Sequence, residues 1–262
     1  FGLPLVVVSS VALFVVLPLF AVGYVIVDLA GGDAGWAFRE AFLVAADDVL
    51  HGDDPYPVEG DAQLARGTAY VYPPVLAQLL IPFTLLPEAV AVVAFALLLV
   101  AAVFATLALL DVRDWRCYGL ALLWPPVLSA VHVENITILM GLAAALVWRF
   151  RDRPAGGIWL GVSLAVKPLL WPLGVWLLAL RSYAGLVWGA VVASVLVLGS
   201  WALIGFAGIL EYDDLLRMLS DAMDEWGYSV YALALDLGAG NTVAKALWLA
   251  VALVSWAHAA TA

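Results

Sequence analysis

Several stretches of this chain run past roughly 18 residues without a charged side chain, among them 1–27 and 89–110. A bilayer's hydrocarbon layer is about 30 Å thick, and a helix needs about 20 apolar residues to cross it. The runs are continuous and rich in Leu, Ala and Val rather than alternating, which selects helices over a barrel. With 66% hydrophobic and 12% charged residues, too little polar surface remains for a soluble domain of this length. The chain is therefore expected to be an all-α, polytopic helical membrane protein. Residues 1–27 are too long and too apolar for a cleaved leader and read as a span. The chain starts at Phe1 and ends inside apolar sequence, so it is expected to be a piece of a longer protein. No linker or low-complexity stretch divides it, and 1–262 reads as a single transmembrane domain.

Composition excludes several classes. A net charge of −10 argues against nucleic acid as a partner. The one cysteine, Cys117, rules out an internal disulfide and a multi-cysteine metal site. His51, His132 and His258 are too scattered in sequence for a metal cluster.

The charges also set a topology. Arg113 and Arg116 mark one break, Arg149, Arg151 and Arg153 the next, and Arg181 a third. These short basic connections are expected in the cytoplasm. Residues 28–74 hold nine acids against Arg39 and Arg66, and 208–228 hold six acids against Arg217; both are expected outside. Only 32 residues separate Arg116 from Arg149. Each arm of that hairpin is about 15 residues, or roughly 22 Å of helix, so its polar tip, His132, Glu134 and Asn135, reaches the outer surface only barely. Between Arg153 and Arg181 the arms are shorter still, and Pro168 stops the first of them. Lys167 is then left at membrane depth, a position tolerated only in protein or beside a wet cavity. Residues 75–86 read as a short helix interrupted by Pro82. Residues 88–110, 184–206 and 241–258 read as spans, with 228–237 a short outer piece.

The first outer loop is the most distinctive polar segment. Residues 36–50 are amphipathic at helical spacing, with Glu40, Asp47 and His51 on one face and Phe38, Phe42, Ala45 and Val49 on the other. This helix is expected to lie flat in the interface. Asp33 precedes it on the Gly31-Gly32 turn. A carboxylate there acts as a general base if a substrate hydroxyl comes within hydrogen-bond reach; the plainer reading is a solvated acid at a helix start. Tyr56 in DPYP and Tyr70 and Tyr72 in YVYPP suit either an interfacial belt or stacking on a sugar face. An intramembrane lysine is costly and marks a functional site by default. Phosphate binding by Lys167 stands against pairing with a buried acid or with carbonyls. His132, Glu134 and Asn135 orient a substrate or form a plain polar turn. Arg217 binds phosphate or lies on a solvated face, the latter being the commoner case. Asp33, Asp47, Asp53 and Asp54 have oxygen ligands for a divalent cation, but loop acids seldom hold one, and no metal or cofactor is assigned.

These elements, taken in order, resemble a known family. A first span, a helix running into LHGDDPYP, then YVYPP and a short Pro-containing helix are followed by DVRDWRCYGLALLWPPVL, HVENITILMGLAAALVWRFRDR and AGGIWLGVSLAVKPLLWPLGVWLLALR. Over roughly residues 20–230 the chain resembles the polyprenyl-phosphate-sugar-dependent glycosyltransferases of family 87, which have the GT-C membrane fold. The resemblance implies a hexosyl- or pentosyltransferase with short broken or re-entrant helices. It would move mannose or arabinofuranose, with inversion, from a polyprenyl-phosphate donor to a glycolipid, glycan or glycoprotein acceptor outside the cytoplasmic membrane. It implies an aspartate base at the start of the outer helix. The family spacing puts that base near Ala37, where this chain has no acid. Asp33, one helical turn earlier, is the nearest candidate, with Asp47 and Asp48 as alternatives. Lys167-Pro168 matches the family's Lys-Pro, implying a donor-phosphate contact, and Glu134-Asn135 matches its polar tip in part. A transporter or flippase for a lipid-linked substrate, and a catalytically silent relative, are the rival readings.

Overall fold

The structure is a computed structural model that describes residues 2–58, 60–223 and 229–261. Helix α1 (Gly2–Val11) passes through a π-helical segment (Ala12–Val16) into α2 (Leu17–Gly31). A second π segment (Ala37–Phe42) leads into α3 (Leu43–His51), followed by α4 (Ala62–Arg66), α5 (Pro74–Thr84) and α6 (Glu88–Leu109). Then come α7 (Trp115–Leu123), α8 (Pro125–Val133), α9 (Thr137–Arg149) and α10 (Pro154–Val166). A 3-10 turn (Pro168–Leu170) precedes α11 (Trp171–Ala179) and α12 (Tyr183–Leu203). Last are α13 (Tyr212–Met223), α14 (Val230–Asp236) and α15 (Asn241–Thr261). No strand occurs among the described residues, so the all-α expectation holds. Among the described residues three helices are long and apolar enough to cross a membrane: Val6–Gly31, Glu88–Leu109 and Tyr183–Leu203.

Local chemistry sets the breaks. Proline opens α5, α8, α10 and the 3-10 turn, where a missing N–H costs nothing. Lys167 is extended (φ −153°, ψ 114°), as the residue before a proline must be to leave a helix. Two expectations are corrected. The arm between Arg116 and the polar tip is not one helix. Trp124, which precedes Pro125-Pro126, is extended (ψ 121°) and splits it into α7 and α8. Conversely, Pro82 does not interrupt 75–86; it lies inside α5. It removes the backbone bond that an N–H there would make to the Gln78 carbonyl, without ending the helix.

The described residues form two compact units. The first comprises the chain up to Pro57 together with Thr68–Ile209. Its centre is α6, where Ala91, Val92, Phe95, Ala96 and Leu99 are fully buried between α2 and α9. Phe38 stacks on Phe95 (4.4 Å between centroids), and Phe83 meets both edge-on. The apolar face of the loop helix is thus covered by α5 and α6, with Phe38, Phe42 and Ala45 buried on protein rather than lying on lipid. Helices α10 and α12 approach most closely at glycines 157, 161, 185 and 189. The second unit comprises Val58–Gly67 and the chain from Leu210 on. Within it α4 packs on α13 and α14 on α15. Residues 224–228 of the second acidic segment, and the side chain of His258, lie outside the described residues.

Candidate active site

The hairpin tip is built by backbone geometry. Glu134 takes a left-handed conformation (φ 62°, ψ 46°) that ends α8. The Glu134 and Asn135 N–H groups close the turn on the Val131 and Ala130 carbonyls. Asn135 Oδ1 then accepts from the Thr137 N–H (2.9 Å) and hydroxyl (2.6 Å), anchoring the start of α9. Lys167 reaches this tip from the break after α10. Its Nζ donates to Thr137 Oγ1 at 3.4 Å and stands 5.4 Å from the centroid of Tyr72. Among the described residues no carboxylate pairs with it, although an isolated ammonium at such a position is costly. Asn135, Thr137, Lys167 and Tyr72 therefore form one polar cluster with an uncompensated positive charge.

The start of the first loop is bonded to the same tip. The Gly35 N–H donates to the His132 carbonyl (2.9 Å). Gly35 has φ 78°, which strains any other side chain, and a Cβ there would fall 2.6 Å from Glu134 Oε2. His132 Nε2 lies 2.6 Å from Asp28 Oδ2, in the last turn of α2. Arg39 donates through Nε to the Ala34 carbonyl (3.0 Å), and its terminal nitrogens bond the Leu29 carbonyl and the Glu88 carboxylate. Glu134 departs from the substrate contact expected of it. It is fully buried, facing Gly35, and neither carboxylate oxygen has a hydrogen-bond partner among the described residues.

The other sequence candidates separate into distinct surroundings. Asp33 is exposed on the turn after α2, where its N–H bonds the Asp28 carbonyl (3.3 Å). Asp47 and Asp48 line a groove of about 320 Å³ with Arg39, Thr84 and Glu88. Burial, and then the charges of Asp47, Asp53 and Asp54, push the Asp48 carboxyl above its ordinary value. Tyr56 and Tyr70 are built into the core rather than offered to a sugar. Tyr56 stacks on Trp201 (5.3 Å) and donates to the Tyr72 carbonyl (3.0 Å). Tyr70, 2% exposed, donates to the Pro73 carbonyl (2.7 Å) and accepts from the Ala77 N–H (3.0 Å). Tyr72 stays partly exposed beside Lys167, with burial raising its hydroxyl above the ordinary tyrosine range. Arg217 belongs to the second unit, where it pairs with Asp213 (2.5 Å) on an exposed face of α13. Among the described residues no three His, Cys, Asp or Glu side chains gather as a metal site.

Residues 70–262 match the sequence profile of glycosyltransferase family 87. The chain belongs to that family. With its apolar spans, this family 87 protein is a membrane glycosyltransferase. The matched segment contains Tyr72, the tip and Lys167, and begins after Asp28, Asp33, Asp47, Asp48 and Tyr56. No curated protein and no solved structure matches the chain. Asp28 and Arg39 were missed as parts of the site by sequence reasoning. One signal for Asp28 was present: it is the first charge after a long uncharged span, and a carboxylate at a helix end near membrane depth needs a partner.

Proposed function

We propose that this family 87 enzyme takes a sugar of the mannose or arabinofuranose class from a polyprenyl-phosphate donor. It transfers that sugar, with inversion, to a hydroxyl of an extracytoplasmic acceptor: a glycolipid, glycan or glycoprotein. The observation that carries this reading is Lys167. It sits on a broken helix with no carboxylate partner among the described residues, between the polar tip and the face of Tyr72. A phosphodiester on a lipid chain supplies the missing negative charge at headgroup level, and the ammonium stabilises the phosphate as it leaves. Tyr72 offers a ring face to the sugar, and Asn135 and Thr137 offer hydrogen bonds. The acidic loop against the basic connections at Arg113–Arg116, Arg149–Arg153 and Arg181 supports an outward-facing site in the cytoplasmic membrane.

The test is transfer from a synthetic polyprenyl-phosphate sugar by the full chain in lipid vesicles, comparing wild type with Lys167→Ala. Loss of one charged hydrogen-bonding partner predicts a drop of about 10- to 100-fold, appearing first in the donor KM. Transfer from a nucleotide sugar but not from the lipid donor, or full activity in Lys167→Ala, refutes the assignment.

A further inference from the structure

The contact between Asp28 and His132 joins residues 104 positions apart and is unlike any other acid–imidazole contact among the described residues. The one other such contact, His51 with Asp47, is a long 3.6 Å pair within a single helix. In the neutral imidazole the hydrogen on Nε2 goes to Asp28, leaving the Nδ1 lone pair as the acceptor. No partner for Nδ1 occurs among the described residues, and the two side chains are 42% and 24% exposed. The ring is therefore oriented by a carboxylate and open on its accepting side. Its backbone is fixed as well, through the Gly35 N–H. The tip that carries His132 also carries Thr137, the partner of Lys167.

We propose that His132, oriented by Asp28, is the general base that takes the proton from the acceptor hydroxyl, with Asp28 its positioning residue. The inference rests on the sugar-transfer reading above. Asp33 is exposed and no side-chain hydrogen bond orients it among the described residues, whereas His132 is held at 2.6 Å. In the reaction the hydroxyl proton passes to Nδ1 as the acceptor oxygen forms its bond to the anomeric carbon. The bond from that carbon to the phosphate oxygen breaks, and its electron pair leaves with the polyprenyl phosphate, whose charge Lys167 faces. Asp28 stabilises the imidazolium, which then releases its proton to water.

The charged groups on the elements packed against α8 are Asp28, Glu88, Arg116 and Arg149, with Asp33 and Arg39 flanking the Gly35 contact. Tyr24, Cys117 and Tyr118 are the other titratable groups on those helices. Glu134, at the end of α8, packs on Gly35, and among the described residues Asp28 is the one that bonds the ring.

The experiment measures kcat, KM and donor affinity against pH for wild type, His132→Ala, His132→Gln, Asp28→Asn and Asp33→Asn in vesicles. Removing a general base predicts a loss of about 10²- to 10⁴-fold in kcat for both His132 variants. Donor Kd stays unchanged, the acid limb of the profile disappears in His132→Gln, and added imidazole partly rescues His132→Ala. Asp28→Asn lowers kcat less, and Asp33→Asn stays near wild type. Unchanged donor Kd shows that the variants are folded. Wild-type kcat in both His132 variants, or loss of turnover in Asp33→Asn alone, overturns the proposal. If wild type uses a different sugar donor, the donor reading fails while the same comparison on that donor still decides the role of His132.

Discussion

Replacing Gly157 with alanine tests the packing that aims Lys167. A Cβ at Gly157 would lie 1.7 Å from the Gly185 carbonyl oxygen and 2.7 Å from the Gly185 Cα. An ordinary C···O contact is about 3.3 Å, so α10 and α12 must part by roughly 1.6 Å. Both collision atoms are backbone and have no rotamer to move away. In a bilayer, helices associate largely through such close approach. Overpacking of this kind costs about 1–3 kcal/mol, offset by up to about 1 kcal/mol of helix propensity gained by replacing glycine. Because every colliding atom is backbone the upper end of that cost applies, and the net expectation is a loss of about 2 kcal/mol. Gly199, on the same α12, is the control: a Cβ there meets nothing within 4 Å, so Gly199→Ala is neutral or slightly stabilising. The assay is the unfolding midpoint in detergent, read alongside donor affinity. Since α10 ends at Val166 and hands the chain to Lys167, Gly157→Ala also weakens transfer, as a shift of about 1 Å at a charged contact can cost up to about 100-fold. Wild-type stability in Gly157→Ala, or an equal loss in Gly199→Ala, refutes the reasoning.

Two further substitutions probe the loop. The Asp48 carboxyl is raised above 3.8 in the folded chain, so the folded state binds this proton more tightly than the unfolded state. Its contribution is harmless below the unfolded value, and stability falls as pH rises through the folded one. Asp48→Asn should therefore raise the unfolding midpoint at pH 7, by no more than about 0.5 kcal/mol given its partial exposure. At pH 3 it should change nothing; an equal gain at both values contradicts the assignment. Tyr70→Phe leaves the Ala77 N–H without the hydroxyl that now accepts from it and strips the Pro73 carbonyl of a donor. A loss of about 1–3 kcal/mol is expected, checked by thermal unfolding, whereas full stability would mean that the hydroxyl does not hold the loop.

Features that are local in the chain were legible in advance. Uncharged runs marked the spans, because length and polarity alone decide whether a helix can sit in hydrocarbon. Pro168 marked the break that exposes Lys167, because steric exclusion by a proline ring acts on its immediate neighbour. The loop helix was readable from its apolar period; that Tyr72 and Asn135 stand in one cluster with Lys167 was not, because they lie far apart in the chain. Tyr56, Tyr70 and Glu134 were read as facing substrate, since a polar side chain in a loop or tip carries no local mark of which way it turns. Burial against Trp201 and Gly35 settles that direction.

The chain by itself determined that it spans a membrane in helices and that a lysine stands where Pro168 breaks one of them. Only the tertiary structure decided what Lys167 faces, that Glu134 turns inward, and that Asp28 meets His132 across 104 residues. Periodicity, proline and charge act over one or two helical turns. A contact between distant segments depends instead on how closely whole helices pack; for α10, which hands the chain to Lys167, that closeness rests on glycines 157, 161, 185 and 189 letting its backbone touch that of α12.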